Sequence, residues 1–188
     1  MTDSWVTLPP MPSAFRGSST VVHRNKLWVF GGYDTADRDT AYAYEPYTST
    51  WSQNSPMPDA FLSYQAAGTG AVGSSIFVAG GWGVGDDSYM STLWSYDIAA
   101  DTYDTSLPDM PSGGRYFGAG VTIGSTVYVL GGQDTAGAAA TAEAYTVATS
   151  SWAVLAPMPE GAINPIAAAI VGGATIYAGQ LDQVGGRQ

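Results

Sequence analysis

The chain has 188 residues, 45% of them hydrophobic and only 12% charged, a balance that suits one globular domain and argues against a disordered chain. Its net charge of −10, from 16 acids against 6 bases, repels a phosphate backbone and argues against nucleic-acid binding. The absence of cysteine removes disulfide frameworks, thiolate metal sites and cysteine nucleophiles, and no stretch approaches the roughly 18 apolar residues of a membrane span.

The N-terminus, MTDSWVTLPPMP, has no basic start followed by an apolar run, so the expectation is a soluble, cytoplasmic protein. After Met11-Pro12, four short runs of β-branched and aromatic residues are divided by Gly, Ser, Asp or Pro turns. They predict strands over approximately Ser18 to Val22, Leu27 to Phe30, Ala41 to Tyr44 and Thr50 to Gln53. The same succession then recurs. LWVFGG (Leu27 to Gly32) returns as IFVAGG (Ile76 to Gly81), as VYVLGG (Val127 to Gly132) and, altered, as IYAGQ (Ile176 to Gln180). Met-Pro recurs at Met57-Pro58, Met110-Pro111 and Met158-Pro159. A tyrosine stands seven residues before an aromatic at Tyr44 and Trp51, Tyr96 and Tyr103, and Tyr145 and Trp152.

The units cover approximately 13–53, 59–105 and 112–154, with a partial one over 160–188. Residues 1–12, with Trp5, align with the closing strand of a preceding unit. No sustained 3.6-residue period occurs, so the fold class is all-β and repetitive. A four-stranded unit of this size cannot bury both faces alone, and radial packing of such units makes a β-propeller.

The Gly-Gly doublets, the later Tyr-Asp and the closing Trp together resemble the kelch repeat. The likeness spans essentially the whole chain. It implies a kelch-type propeller of four-stranded blades, here about three and a half, in which the doublet ends the second strand near the mouth of the central channel. Tyr-Asp itself survives only at Tyr96-Asp97, and Gln180 replaces the second glycine of the fourth unit. Three arrangements remain open: the N-terminal part of a longer ring, a short protein whose open edges pair with a second copy or another chain, and a four-bladed ring with one incomplete blade.

Catalytic chemistry needs convergent titratable groups, and these are sparse. His23 is the only histidine and falls in the turn after the first strand, which suits a solvated turn residue. It excludes a multi-histidine metal site. Asp86 and Asp87 lack the alternating ligands of a calcium loop, and the glycine runs lack a following Lys-Ser/Thr. The expectation is no catalytic residue, no metal and no cofactor.

The repeating aromatics read as packing, so recognition is sought where the repeats differ, in the loops after Met-Pro and after Gly-Gly. Aligned from Met-Pro, Arg16 corresponds to Leu62, Arg115 and Ile163. By resemblance to kelch adaptors, Arg16 and Arg115 could anchor an acidic peptide motif, against the alternative of structural pairing with neighbouring acids. Tyr116 follows Arg115. After the glycines come Tyr33 and Asp34, Trp82, and Gln133 and Asp134. The leading function is a protein-interaction or scaffold module that binds a partner protein or acidic peptide through these loops. The alternatives are a carbohydrate-active or sugar-binding protein resembling kelch-like sialic-acid epimerases and mutarotases, and an architectural subunit that self-associates or docks through open blade edges.

Overall fold

A computed structural model describes residues 4–14, 16–34, 39–58, 66–83, 88–169 and 175–179. Asp86, Asp87, Leu62 and Gln180 lie outside the described residues. Three four-stranded antiparallel sheets succeed one another along the chain. The first holds β1 (Ser19–His23), β2 (Lys26–Phe30), β3 (Ala41–Glu45) and β4 (Thr50–Asn54). The second holds β5 (Gly68–Val72), β6 (Ser75–Gly83), β7 (Ser88–Asp97) and β8 (Thr102–Asp104). In the third, β9 (Ala119–Ile123) and β10 (Thr126–Leu130) join β13 (Ala142–Thr146) and β14 (Ser151–Val154), while β11 (Gln133–Asp134) and β12 (Gly137–Ala138) form a side hairpin. A two-stranded sheet of β15 (Ile166–Ala169) and β16 (Ile176–Gly179) follows. The expected strands of the first unit are each observed within a residue of their bounds.

The first strands stand side by side: β5 lies against both β1 and β9, and β15 against β9. Apolar cores fill the gaps between successive sheets. Trp28 and Phe30 pack on Ile76, Val78 and Tyr96, whereas Phe77, Ala79 and Leu93 of the same middle sheet pack on Val127, Val129 and Tyr145. Alternate side chains of β6 therefore serve opposite neighbours, which is why its sequence is apolar without interruption.

The recurring landmarks have separate mechanical roles. Tyr44 and Trp51 face each other across β3 and β4, as do Tyr96 and Tyr103 across β7 and β8 and Tyr145 and Trp152 across β13 and β14. Their ring centroids lie 5.1, 4.9 and 5.3 Å apart. The seven-residue spacing is thus a hairpin register. The second ring of each pair also ties its sheet to the preceding connection: Trp51 Nε1 donates to Pro9 O (3.2 Å), Tyr103 OH to Ser55 O (3.3 Å) and Trp152 Nε1 to Pro108 O (2.8 Å). All three acceptors stand two residues before a Met-Pro.

Met-Pro and Gly-Gly keep the same beat because they touch. Gly80 has φ +67°, and a Cβ there would lie 2.5 Å from Arg115 O and 2.8 Å from the Met110 methyl. Met158 bears the same relation to Gly131, at 3.0 Å. The glycine pair makes room for the methionine of the next unit, and the chain turns through a left-handed conformation that a side chain would strain.

Two expectations meet a different arrangement. His23 closes β1 instead of lying in the turn, and its Nε2 sits 3.0 Å from Gly73 O of the next sheet, beside the 3.2 Å bond from Arg24. Residues 4–12 form no strand, and Trp5 is fully exposed.

Candidate functional site

The loops after Met-Pro and after Gly-Gly meet at one end of the sheets. Beyond β1 and β2 the ladder continues to a bridge between Arg16 and Tyr33, with backbone bonds of 2.9 and 2.8 Å. Beyond β9 and β10 it continues to Tyr116 and Gln133, at 3.1 and 2.7 Å. Asp34 and Asp134 come next along the chain at this rim, both partly exposed.

These bridges correct the alignment of the arginines. Ser19 pairs with Phe30 and Ala119 with Leu130, so the counterpart of Arg16 in the third sheet is Tyr116, and Arg115 stands one residue away. One extra residue after Met110 moves the register, and a one-residue shift sends a side chain to the opposite face. Arg115 accordingly points inward and is only 1% exposed. Its Nη2 donates to Glu143 Oε2 in a short ion pair, and its Nε donates to Gly131 O at 3.1 Å. Glu143, fully buried on β13, also accepts the Ser112 amide at 2.8 Å. This is the structural pairing weighed against ligand contact. Arg16 is exposed, with its guanidinium carbon 5.5 Å from the centre of the Tyr33 ring.

The second sheet differs from its neighbours in having a long hairpin. After an irregularity between Ala79 and Gly81, β6 and β7 keep pairing through Gly81 with Met90, Trp82 with Tyr89 and Gly83 with Ser88. Trp82 and Tyr89 are cross-strand partners and reach the same neighbour: their rings lie 5.5 and 5.6 Å from that of Tyr116. Tyr116 stacks at 4.3 Å on Phe117, and its hydroxyl donates to Gln133 Oε1 at 3.1 Å. Phe117 holds φ +55°, an uncommon conformation for a bulky residue, and its carbonyl accepts the Asn164 amide at 2.7 Å.

The structure therefore gathers Trp82, Tyr116 and Gln133 into one cluster, with Asp134 beside it and Arg16, Tyr33 and Asp34 on the rim of the first sheet. Tyr89 and Phe117 were missed. Tyr89 had a signal, since it lies in the longest insertion beside Trp82, but Phe117 had none beyond following Tyr116. Among the described residues no three His, Asp or Glu side chains gather in a way that would hold a metal, and no helix is long and apolar enough to cross a membrane.

Repeated four-stranded antiparallel sheets packed face to face around a line of first strands, with loops converging at one end, define a β-propeller. Residues 14–58 and 114–159 match the Kelch motif family. Kelch-like protein 23 of Homo sapiens is 29% identical over 160 residues, covering 85% of this chain and 27% of that protein. Kelch-like protein terF of Aspergillus terreus (strain NIH 2624 / FGSC A1156) is 27% identical over 169 residues, 84% of this chain and 37% of that one. This chain thus spans well under half the length of either relative. The solved structure of YjhT aligns with a TM-score of 0.73 at 18% identity, over 87% of this chain and 59% of that chain, a likeness of fold. The protein has the fold of a kelch-type β-propeller with two stretches that match the Kelch motif, and its described residues comprise three blades and the paired strands of a further one.

Proposed function

We propose that the protein is an interaction module that receives a segment of a partner protein at the channel mouth, against the partly exposed Trp82 and Tyr89, which the buried Tyr116 backs. The observation that carries this reading is the extended β6–β7 hairpin. It departs from the repeat, projects past the glycine turn and presents a cross-strand aromatic pair beside the loop of the next blade. Clustered aromatics with a polar group such as Gln133 suit a binding surface, since they offer contact area at low cost in side-chain entropy. Kelch-like relatives support the same class.

The acidic-peptide version of this reading rested on two arginines. Burial of Arg115 against Glu143 leaves Arg16 alone to support it. The carbohydrate-active alternative has no observation that favours it. Association through blade edges would register as a solution mass above the 19.5 kDa of one chain, and light scattering across a dilution series reads it directly.

The test is selection of a random-peptide display library on the protein, with each selected peptide measured against the wild type and Trp82→Leu. The expected result is a set of peptides whose affinity falls at least about threefold in the variant while its melting curve is unchanged. Peptides that bind both proteins equally would place recognition elsewhere and overturn the proposal.

A further inference from the structure

The charges around the mouth say what kind of segment suits it. The connections that follow Gly-Gly or flank Met-Pro carry Asp34, Asp39, Asp109, Asp134 and Glu160. Among the described residues, Arg16 and Arg115 are the only arginines or lysines in these connections, and Arg115 is closed in with Glu143. Arg24 and Lys26 lie at the far turn of the first blade, where Lys26 meets Glu45 at 3.6 Å. Among the described bases, Arg115 is thus sealed beneath the aromatic cluster and Arg24 and Lys26 stand at the far turn, leaving Arg16 on the rim of the first sheet, while Asp134 adjoins Gln133 of the cluster itself. The chain as a whole, at −10, adds to the same field.

We propose that the segment received at the aromatic cluster is positively charged, carrying lysine or arginine, and that it is held by ring faces of Trp82 and Tyr89 together with Asp134 and the acidic field of the chain. This rests on the reading of the mouth as a binding surface and names the chemistry of what binds there. The partial negative charge of an indole or phenol face attracts an ammonium or guanidinium, and the flexible stem of either residue covers apolar ring surface. Arg16 over Tyr33 shows the same pairing within the protein itself. Acidic segments meet the opposite field and are disfavoured, which reverses the preference drawn from the sequence. Complementary charge of this kind acts chiefly on the rate of encounter and on the choice among partners.

The test uses the same display library, scored for charge. Peptides that depend on Trp82 are taken as the mouth-binding set, with Trp82→Leu keeping an apolar side chain and removing the ring face. The expected result is that this set is enriched in lysine and arginine. Each member should bind about threefold to fivefold more weakly to Trp82→Leu, and should weaken further as sodium chloride rises from about 0.05 to about 0.5 M. Asp134→Asn, which keeps an oxygen for the Ala136 amide, should lower affinity for the same peptides without moving the melting temperature. If the Trp82-dependent peptides prove neutral or acidic, or indifferent to salt and to Asp134→Asn, the charge assignment fails while the mouth remains the binding surface. If no selected peptide depends on Trp82, both fall.

Discussion

Glu143→Leu offers the sharpest check on how the mouth is held. Glu143 is fully buried, and its two carboxylate oxygens accept from Arg115 and from the Ser112 amide. Arg115 in turn bonds to Gly131 O, so this one pair ties the loop after Met110 to β13 and to the glycine turn of the same blade. Removing the carboxylate leaves a guanidinium in the interior with only backbone carbonyls for company. The lost attraction is about 4 kcal/mol for charges about 4 Å apart at an effective dielectric of about 20, in line with the roughly 3–5 kcal/mol seen when one partner of a buried pair is deleted. For a chain of this length that corresponds to a melting temperature lower by about 10 °C. Arg115→Met should cost a similar amount, because it strands the carboxylate instead. The double variant, Arg115→Met with Glu143→Leu, should be more stable than either single one, since it buries no lone charge. Urea unfolding of the four proteins, followed by tryptophan fluorescence, completes a double-mutant cycle. Additive single losses, or a Glu143→Leu cost below about 1 kcal/mol, would refute a strongly coupled buried pair.

The glycine turns and the inter-blade polar contacts give two further predictions. Gly80→Ala should cost at least about 2 kcal/mol, because it adds an overlap with Arg115 O and Met110 to the strain of positive φ. Gly73→Ala, at φ +63° with nothing within 4 Å, should cost only about 1 kcal/mol. Equal losses in chemical denaturation would show that blade contact at Gly80 contributes nothing. Asp101 accepts from Tyr96 OH at 2.6 Å and from the Ser55 amide at 2.9 Å, and the tyrosine bond holds its carboxyl below the usual carboxylate range. Its contribution is therefore present above the unfolded value near 3.8 and is lost as pH falls through the lower folded value. Burial, then the Asp101 bond, pushes Tyr96 upward, so that stability is fully present below its unfolded value near 10.0 and declines at higher pH. Asp101→Asn should flatten the acid side of a stability–pH profile, and an unchanged profile would count against the assignment.

Much of this protein was legible in its residues because the relevant constraints are local. A tyrosine and an aromatic seven apart meet across a tight hairpin, β-branched runs form strands, and Met-Pro and Gly-Gly recur at the points where neighbouring blades touch. Trp82 and Gln133 stood out because they lie where the repeats differ. The tertiary structure alone decided which face each mouth residue occupies. Counting from Met-Pro places Arg115 opposite Arg16, but one added residue in the third unit shifts the ladder, so that Tyr116 takes that station and Arg115 turns inward. Glu143 as its partner was hidden because 28 residues separate the two. Strand side chains alternate with a period of two, and a sequence marks that period only where both strands of a pair are in view; the pairing that sets it, and with it the exposed or buried fate of a charge, is made by residues far apart in the chain.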